Sequence, residues 1–247
     1  MTFTTALKII KLTQNSYSQI ADSFADSRFS SWTEIDAAIK KYVQPGAKIL
    51  DLGCGSGRLL KSLSKIFNLS YLGLDNCNRL IEKAQKNLQT LKNNKLKASF
   101  VCHDILNLAD LPEDSFNVIF MVASFHHLPS AELRQKVMAN LFRLLKSNGV
   151  LIMTNWNLWQ PGAKKSIWHN KLKHNYQLKN DLHSLGFKDV ITLWQNKSPL
   201  YYYAFTLREL RQLFRAANFQ ILENYYVRRG QKARWWNGYN ILTVGKK

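Results

Sequence analysis

The chain contains few cysteines and no long apolar segment. Its three cysteines, Cys54, Cys77 and Cys102, show no Cys-x-x-Cys spacing, so we expect free thiols in a reducing cytoplasm, without a disulfide framework or a metal site. No segment approaches the roughly 18 apolar residues that a membrane span needs, and Met1–Ile10 does not resemble a signal peptide. The sequence therefore predicts a cytoplasmic protein that binds neither a metal nor a membrane.

Acidic residues are also scarce. The 247 residues include 16 Asp and Glu against 35 Lys and Arg, which gives a net charge of +19. The imbalance is largest in residues 157–247, which hold 16 basic residues, 4 acidic residues and five tryptophans. Positive charge interleaved with aromatic rings favours a nucleic-acid partner. The alternative is a solvated basic surface.

Between residues 31 and 155, apolar runs of strand period alternate with runs of helical period. The predicted strands are Lys48–Leu52, Ser70–Asp75, Lys97–Cys102, Phe116–Ala123 and Val150–Asn155. The predicted helices are Ser31–Tyr42, Arg58–Ile66, Asn78–Leu91 and Ser130–Leu145. This alternation indicates a parallel sheet with helices on both faces.

The pattern changes after residue 155. Weak helical character at Ile167–Leu185 is followed by a helix at Thr206–Ala217, where Thr206 and Glu209 have capping-box spacing. Two strands, Phe219–Arg228 and Tyr239–Gly245, are joined by a basic loop. The first dozen residues are expected to be disordered. We predict one domain in four parts: N-terminal helices (1–46), a cofactor-binding core (47–155), a substrate-facing insertion (156–205), and a closing helix and β-hairpin (206–247).

The strongest motif is Asp51-x-Gly53-x-Gly55-x-Gly57, which follows the first predicted strand. Its glycines let the backbone turn tightly and approach a ligand. Asp75 ends the next strand, where a carboxylate can accept both hydroxyls of a ribose. The spacing departs from the Gly-x-Gly-x-x-Gly of NAD-binding folds.

After the third strand, Asp104 could meet the amino group of an adenine, and Ile105 could cover one face of the ring. The order of these motifs resembles class I S-adenosylmethionine-dependent methyltransferases over roughly Ala47–Asn155. The alternative is another Rossmann-like nucleotide binder. The resemblance implies a Rossmann-like α/β fold with a mostly parallel seven-stranded sheet, a C-terminal antiparallel hairpin, and S-adenosylmethionine as cofactor. The cofactor-binding residues it implies are Asp51, Gly53, Gly55, Gly57, Asp75, Asp104, Ile105 and Ala123.

A narrower resemblance lies in the flanking segments. The pattern Tyr17-x-x-Ile20-Ala21-x-x-Phe24-x-x-x-Arg28-x-x-x-Trp32 is similar to the N-terminal signature of the tRNA wobble-uridine carboxymethyl methyltransferases, the AlkB-homologue-8 type. Residues 123–128, with His126 and His127, resemble that family's paired-His turn, and residues 201–205 resemble its Tyr pair. The chain departs from the family at Leu200, Tyr203 and Gly238-Tyr239, and through a longer basic loop at Val227–Trp236.

This second resemblance implies tRNA as the partner and a methyl ester as the product. It also suggests a small zinc-ribbon protein as an activator. The catalytic candidates are Arg28 and His127. A carboxylate acceptor is already a nucleophile, and Arg28 could hold it through charge-assisted hydrogen bonds. An amine acceptor would instead need a base such as His127. Two other functions stay open: a small-molecule methyltransferase acting on a carboxylic acid or quinone-like acceptor, and a non-catalytic RNA-binding module. Whether Tyr201–Tyr203 and Trp235-Trp236 are core or base-stacking aromatics also stays open.

Overall fold

The computed structural model describes residues 1–27, 33–91, 96–163, 185–195 and 197–247. Within these residues, helices pack on both faces of a central sheet. The helices are α1 (Phe3–Asp26), α2 (Thr33–Tyr42), α3 (Arg58–Leu63), α4 (Asn78–Thr90), α5 (Ala131–Leu144), α6 (Pro161–Ala163) and α7 (Leu207–Ala216). The strands are β1 (Lys48–Leu52), β2 (Ser70–Asp75), β3 (Lys97–Cys102), β4 (Phe116–Val122), β5 (Leu145–Trp156), β6 (Asp189–Trp194), β7 (Ser198–Tyr203), β8 (Gln220–Arg228), β9 (Gln231–Ala233) and β10 (Asn240–Lys246).

In the described part of the chain, eight strands form one sheet in the order β3-β2-β1-β4-β5-β10-β8-β9, and β6 pairs with β7 separately. Strands β1 to β5 run parallel, and β10 lies antiparallel between β5 and β8. The strand order reverses between β1 and β4, because β2 and β3 extend the sheet to one side and β4 and β5 to the other. Such a reversal leaves a crevice at the carboxyl ends of the strands, where ligands of open α/β sheets bind.

The predicted fold class is confirmed, but the predicted number of seven strands is wrong. The additional strand, β9, pairs with β8 inside the segment that the sequence indicated to be a basic loop. Arg229 and Gly230 connect the two strands with positive φ angles of 51° and 78°. Two consecutive residues with positive φ form the tight turn that suits the twist of a hairpin.

Apolar side chains of the strands alternate between two buried layers, one on each face of the sheet. Ile49 and Ile152 face one layer, which α2, α3 and α4 cover. Leu50 and Leu151 face the other, which α5 and α7 cover. Burial on both faces explains why the central strands β1 and β4 are nearly continuous apolar runs in the sequence.

The first dozen residues are helical, so the expectation of disorder there was wrong. The side chain of Thr2 accepts a hydrogen bond from the backbone N–H of Thr5 and caps α1. Ile9 is fully buried against Ile191 and Tyr201 of the β6–β7 hairpin. Although α1 has 24 residues, neither it nor any other helix among the described residues is long and apolar enough to cross a membrane.

The β6–β7 hairpin lies inside the predicted insertion, where the sequence pattern did not predict strands. The helical character predicted at Ile167–Leu185 falls almost entirely on residues 164–184, outside the described residues. Each strand of the hairpin has only six residues, too few to establish a clear period. Their apolar side chains pack on α1, which is far away in sequence.

The predicted capping box at the start of α7 is confirmed. The hydroxyl of Thr206 accepts a hydrogen bond from the backbone N–H of Glu209, and the Glu209 carboxylate accepts one from the N–H of Thr206 at 3.0 Å. The box fixes the first turn of α7, whose Leu210 and Phe214 pack into the core beneath β10.

Candidate cofactor and acceptor site

A cavity opens at the carboxyl ends of β1, β2 and β4, where the strand order reverses. The acidic side chains that line the cavity, which we name the carboxylate wall, are Asp51, Asp75 and Asp104. The lining also includes ring side chains from α1, from the segment after β4 and from the end of β5, which we name the aromatic wall: Tyr17, Phe24, His127 and Trp156. Residues of the glycine-rich turn after β1 line the cavity as well.

Two glycines of this turn line the cavity, for different reasons. Gly53 has φ of 72°, and a Cβ there would lie 2.5 Å from the Cβ of Ser124. Gly55 has φ of 54°, and its nearest neighbour would be a ring carbon of Phe24 at 3.9 Å. Gly53 therefore permits close packing against the segment after β4, whereas Gly55 leaves open space for a ligand.

Gly57 does not line the cavity. A Cβ on Gly57 would lie 2.8 Å from the ring of Phe100 and 3.2 Å from Ala84. This third glycine of the motif allows α3 to pack against β3 and α4, so the structure gives it a packing role.

Asp51 is almost completely buried, with 2% of its surface exposed. The hydroxyl of Tyr71 donates a hydrogen bond to its Oδ2 at 2.6 Å. Burial raises the pKa of Asp51 to about 7, against the opposing effect of the Tyr71 hydrogen bond, and nearby Asp75 adds to the rise. A cationic ligand in the cavity would favour the ionised carboxylate.

Asp75 lies at the end of β2, and both of its carboxylate oxygens are oriented by backbone groups. Oδ2 accepts the N–H of Gly55 and Oδ1 accepts the N–H of Cys77, each at 2.9 Å. Burial raises the pKa of Asp75, and the two hydrogen bonds oppose the rise. The carboxylate is therefore fixed at the cavity edge, where its remaining lone pairs can accept hydroxyl groups.

Asp104, Ile105 and Ala123 also line the cavity. Oδ1 of Asp104 accepts the backbone N–H of Leu106 at 2.9 Å, which fixes the turn after β3. Ala123 has φ of 51° and donates its N–H to the Thr154 carbonyl at 2.9 Å. The structure thus gathers seven of the eight predicted cofactor residues around one cavity, with Gly57 behind it.

His127 lies on the aromatic wall with both ring nitrogens engaged. Nδ1 is 2.6 Å from the carbonyl oxygen of Tyr201. Because a carbonyl can only accept, Nδ1 carries the proton and Nε2 accepts from the hydroxyl of Tyr17 at 2.9 Å. Burial lowers the pKa of His127 to about 4. The imidazole is therefore neutral at pH 7 and a weak base.

Tyr17 also lines the cavity, although in the sequence it stood out only as part of a signature. It lies on α1 between Thr13 and Phe24, and all three line the cavity. Its ring packs edge-on against His127 and Phe24, with centroid distances of 5.4 Å and 5.2 Å. The signal that could have identified it is the helical spacing of residues 13, 17 and 24, one face of an amphipathic helix.

The predicted catalytic residue Arg28 lies outside the described residues, as does Trp32 of the same signature. Phe24, four positions earlier, lines the cavity.

The two groups of aromatic residues left open by the sequence differ in their burial. Tyr201 and Tyr202 are core residues, with 0% and 2% of their surfaces exposed. Trp235 and Trp236 expose 49% and 43%. Core packing therefore accounts for the tyrosines but not for the tryptophans.

Within the described ranges, no cluster of three or more His, Cys, Asp or Glu side chains is arranged to hold a metal ion.

Residues 49–149 match the family model of a methyltransferase domain. Curated relatives include a probable tRNA methyltransferase 9B of Homo sapiens, 28% identical over 59% of this chain and 29% of its own length. A cycloartenol-C-24-methyltransferase of Arabidopsis thaliana is 27% identical over 59% of this chain and 42% of its own length. A tRNA (carboxymethyluridine(34)-5-O)-methyltransferase of Arabidopsis thaliana is 29% identical over 57% of this chain and 31% of its own length. The matches thus span less than half of each relative.

Two solved structures share the fold. An S-adenosylmethionine-dependent methyltransferase from Methanosarcina mazei superposes with a TM-score of 0.67 at 22% identity, covering 85% of this chain and 96% of its own. A putative methyltransferase from Haloferax volcanii, solved in complex with the Trm112 methyltransferase activator, gives a TM-score of 0.62 at 17% identity, covering 95% of this chain and 96% of that one. The chain thus resembles the S-adenosylmethionine-dependent methyltransferases: residues 49–149 match a methyltransferase domain, and the described residues share the fold of solved structures of that kind.

Proposed function

We propose that the protein transfers the methyl group of S-adenosylmethionine to the carboxylate of a carboxymethyl-type group on the wobble uridine of a tRNA anticodon, forming a methyl ester. The observation that carries the proposal is the state of His127. The imidazole is neutral and weakly basic, and it is hydrogen-bonded on both sides. Such a group is poorly suited to take a proton from an amine, so it favours an acceptor that is already ionised.

The residues of the carboxylate wall fit the cofactor. Asp75 has a fixed carboxylate for a ribose, Asp104 lies where an amino group could donate to it, and Gly55 leaves room for the ligand against the backbone. Asp51, whose pKa is about 7, suits a cation. When bound, S-adenosylmethionine supplies an electrophilic methyl group on a sulfonium, so a carboxylate acceptor needs alignment and exclusion of water more than proton transfer.

We assign the cofactor to residues 47–155 and a substrate-facing role to residues 156–205. The hydrogen bond of His127 to Tyr201 brings the second segment next to the cavity, which supports that role, and the bond of Tyr17 to His127 adds an N-terminal helix to the same wall.

The choice of tRNA is supported by the net charge of +19 and by the names of two relatives, both tRNA methyltransferases. Resemblance in the N-terminal signature supports Arg28 as the cation that holds the acceptor carboxylate. Arg28→Ala should then lower turnover far more than cofactor affinity, and Arg28→Lys should restore only part of it, because a lysine cannot form the bidentate pair.

An activator protein is a further part of the proposal, supported by the Haloferax volcanii neighbour that was solved with one. The outer edge of the sheet at β3 offers backbone hydrogen-bonding groups and an exposed Val101 to such a partner. The free thiols of Cys54, Cys77 and Cys102 support a cytoplasmic location.

The test is the chemistry of the product. Bulk tRNA is incubated with the protein and a methyl-labelled cofactor, and the labelled tRNA is treated with mild alkali. An ester releases labelled methanol, whereas an N-methyl or C-methyl group keeps its label. Label that stays on the nucleoside would contradict the ester.

A small-molecule methyltransferase is the second candidate. It is favoured by the relative that methylates C-24 of cycloartenol and by the apolar rings of the aromatic wall. Label transfer to a quinone-like or carboxylic acid acceptor, with none to tRNA, would support this candidate instead.

A further inference from the structure

The segment Arg228–Tyr239, which we name the basic aromatic loop, exposes three large rings. Trp235, Trp236 and Tyr239 have 49%, 43% and 41% of their surfaces exposed. The two indole rings lie edge to face, with centroids 5.8 Å apart. Large rings exposed together on a surface indicate a binding site more often than isolated ones do.

Cations lie directly against aromatic rings of this surface. Arg228 lies over Tyr239 at 4.8 Å from the ring centroid, and Arg234 lies over Trp236 at 5.0 Å. Among the described residues, neither guanidinium forms a salt bridge with a carboxylate. Their positive charge is therefore not neutralised within this part of the protein.

The loop is held firmly by its backbone. The side chain of buried Asn157 donates hydrogen bonds to the carbonyls of Trp235 and Gly238 at 2.7 Å and 2.9 Å. At the other end, the N–H of Arg229 donates to Glu34 at 2.9 Å. The rings are thus presented on an ordered frame, which lowers the entropic cost of binding.

Both anchors adjoin the cavity. Glu34 precedes Ile35 and Asn157 follows Trp156, and Ile35 and Trp156 line the cavity. The loop is therefore anchored to segments that also line the cavity.

We propose that the basic aromatic loop binds unpaired nucleotides of an RNA next to the acceptor nucleotide, with bases stacked on Trp235, Trp236 and Tyr239 and phosphates beside Arg228 and Arg234. The inference rests on the proposed function and deepens it. Unpaired nucleotides fit better than a duplex, because a ring can stack on a base only when its face is free. RNA fits better than a protein surface, because cations alternate with rings and lack acidic partners.

The test compares binding of a fluorescently labelled single-stranded RNA with binding of a duplex of equal length. The double variant Trp235→Ala/Trp236→Ala should bind the single strand about tenfold or more weakly, since base–aromatic stacking is worth about 1–3 kcal/mol per base. Its affinity for the duplex should change by less than about twofold, because duplex binding depends mainly on charge. Trp236→Phe, which keeps a ring, should lose less than Trp236→Ala.

The matched control is Phe67→Ala, which removes a ring that is 59% exposed and does not line the cavity; it should bind both probes like wild type. Cofactor affinity, measured by calorimetry, should be unchanged in every variant, which verifies folding. Wild-type affinity of the double variant for the single strand would overturn the inference, as would an equal loss for the duplex.

The outcomes separate the two proposals. If the product is stable to alkali and the double variant binds the single strand more weakly, the ester proposal is contradicted and the loop proposal is supported. If an ester forms and the double variant binds RNA normally, the loop proposal is contradicted and the ester proposal is supported.

Discussion

The two walls of the cavity differ in chemistry and in origin. The carboxylate wall presents three acids at the ends of neighbouring parallel strands, each oriented by a neighbouring N–H or hydroxyl. The aromatic wall has no acidic side chain among its described residues, and its one imidazole is neutral at pH 7. Negative charge on the first wall would attract the cationic cofactor and repel the anionic acceptor of the proposed function.

We therefore predict that variants at the carboxylate wall and the adjoining glycine-rich turn change cofactor binding only, and that variants of the basic aromatic loop change RNA binding only. Cofactor affinity can be measured by calorimetry and RNA affinity by fluorescence anisotropy. A variant that weakened both equally would break the distinction.

The largest effect is expected from Gly55→Arg. The side chain would fill the open space beside Gly55, where the nearest atom to a Cβ is 3.9 Å away, so cofactor binding should be abolished. The control is Gly46→Arg, which also places a side chain at positive φ (80°) but meets no atom within 4 Å and lies outside the cavity. Loss of cofactor binding in both variants would mean that backbone strain, and not occupation of the cavity, is responsible.

The next effect concerns RNA alone. Replacing Arg228, Arg229, Lys232 and Arg234 by Ser should reduce the slope of log affinity against log salt concentration. The reduction should be about 0.7–0.9 for each phosphate that the variant no longer neutralises. Cofactor affinity should stay unchanged.

The matched control removes four exposed lysines that do not line the cavity: Lys48, Lys97, Lys136 and Lys146. If this control flattens the slope equally, the basic aromatic loop is only part of a diffuse positive surface.

Asp75→Ala should reduce cofactor affinity less than Gly55→Arg does. Removal of a charge-assisted hydrogen bond to the ribose should weaken cofactor binding by about 1.5–3 kcal/mol, or roughly 10- to 150-fold. Asp75→Asn should lose less, because its amide oxygen can still accept from Gly55 or from a hydroxyl. Asp110→Ala, at an exposed carboxylate outside the cavity, is the control. Unchanged affinity in Asp75→Ala would mean that this carboxylate only fixes the turn.

The carboxylate wall was predictable from the sequence, because each of its residues lies at or just beyond the carboxyl end of a strand that a local apolar run identifies. Three of the five core strands even have their predicted bounds. Parallel strands bring their carboxyl ends to one edge, so the spacing along the chain sufficed to predict the cluster. Gly57 was assigned to the cofactor because a glycine can serve packing or a ligand, and the sequence does not distinguish the two.

The aromatic wall was predictable only in part. Tyr17, His127 and Tyr201 lie on α1, after β4 and on β7, and they meet through contacts between distant segments. The local periodicity of apolar residues in the sequence does not indicate such contacts. The β6–β7 hairpin and the start of α1 were missed for the same reason, since each covers apolar surface of the other. Resemblance to a family identified His127, but not the hydrogen bonds that make it a weak base.

The last prediction tests the neutrality of His127 through stability. Its pKa is about 4 in the folded protein and 6.5 ordinarily, so the unfolded chain binds more protons between these values. The contribution of His127 to stability is therefore complete above pH 6.5 and falls as the pH drops toward 4. Between pH 7 and pH 5 the loss should reach about 2 kcal/mol, from 1.36 kcal/mol for each pKa unit.

Urea unfolding of wild type and His127→Gln at both pH values isolates this difference, because all other groups titrate in both proteins. If His127→Gln and wild type lose equal stability, His127 has an ordinary pKa, and the aromatic wall holds a base able to take a proton from an amine.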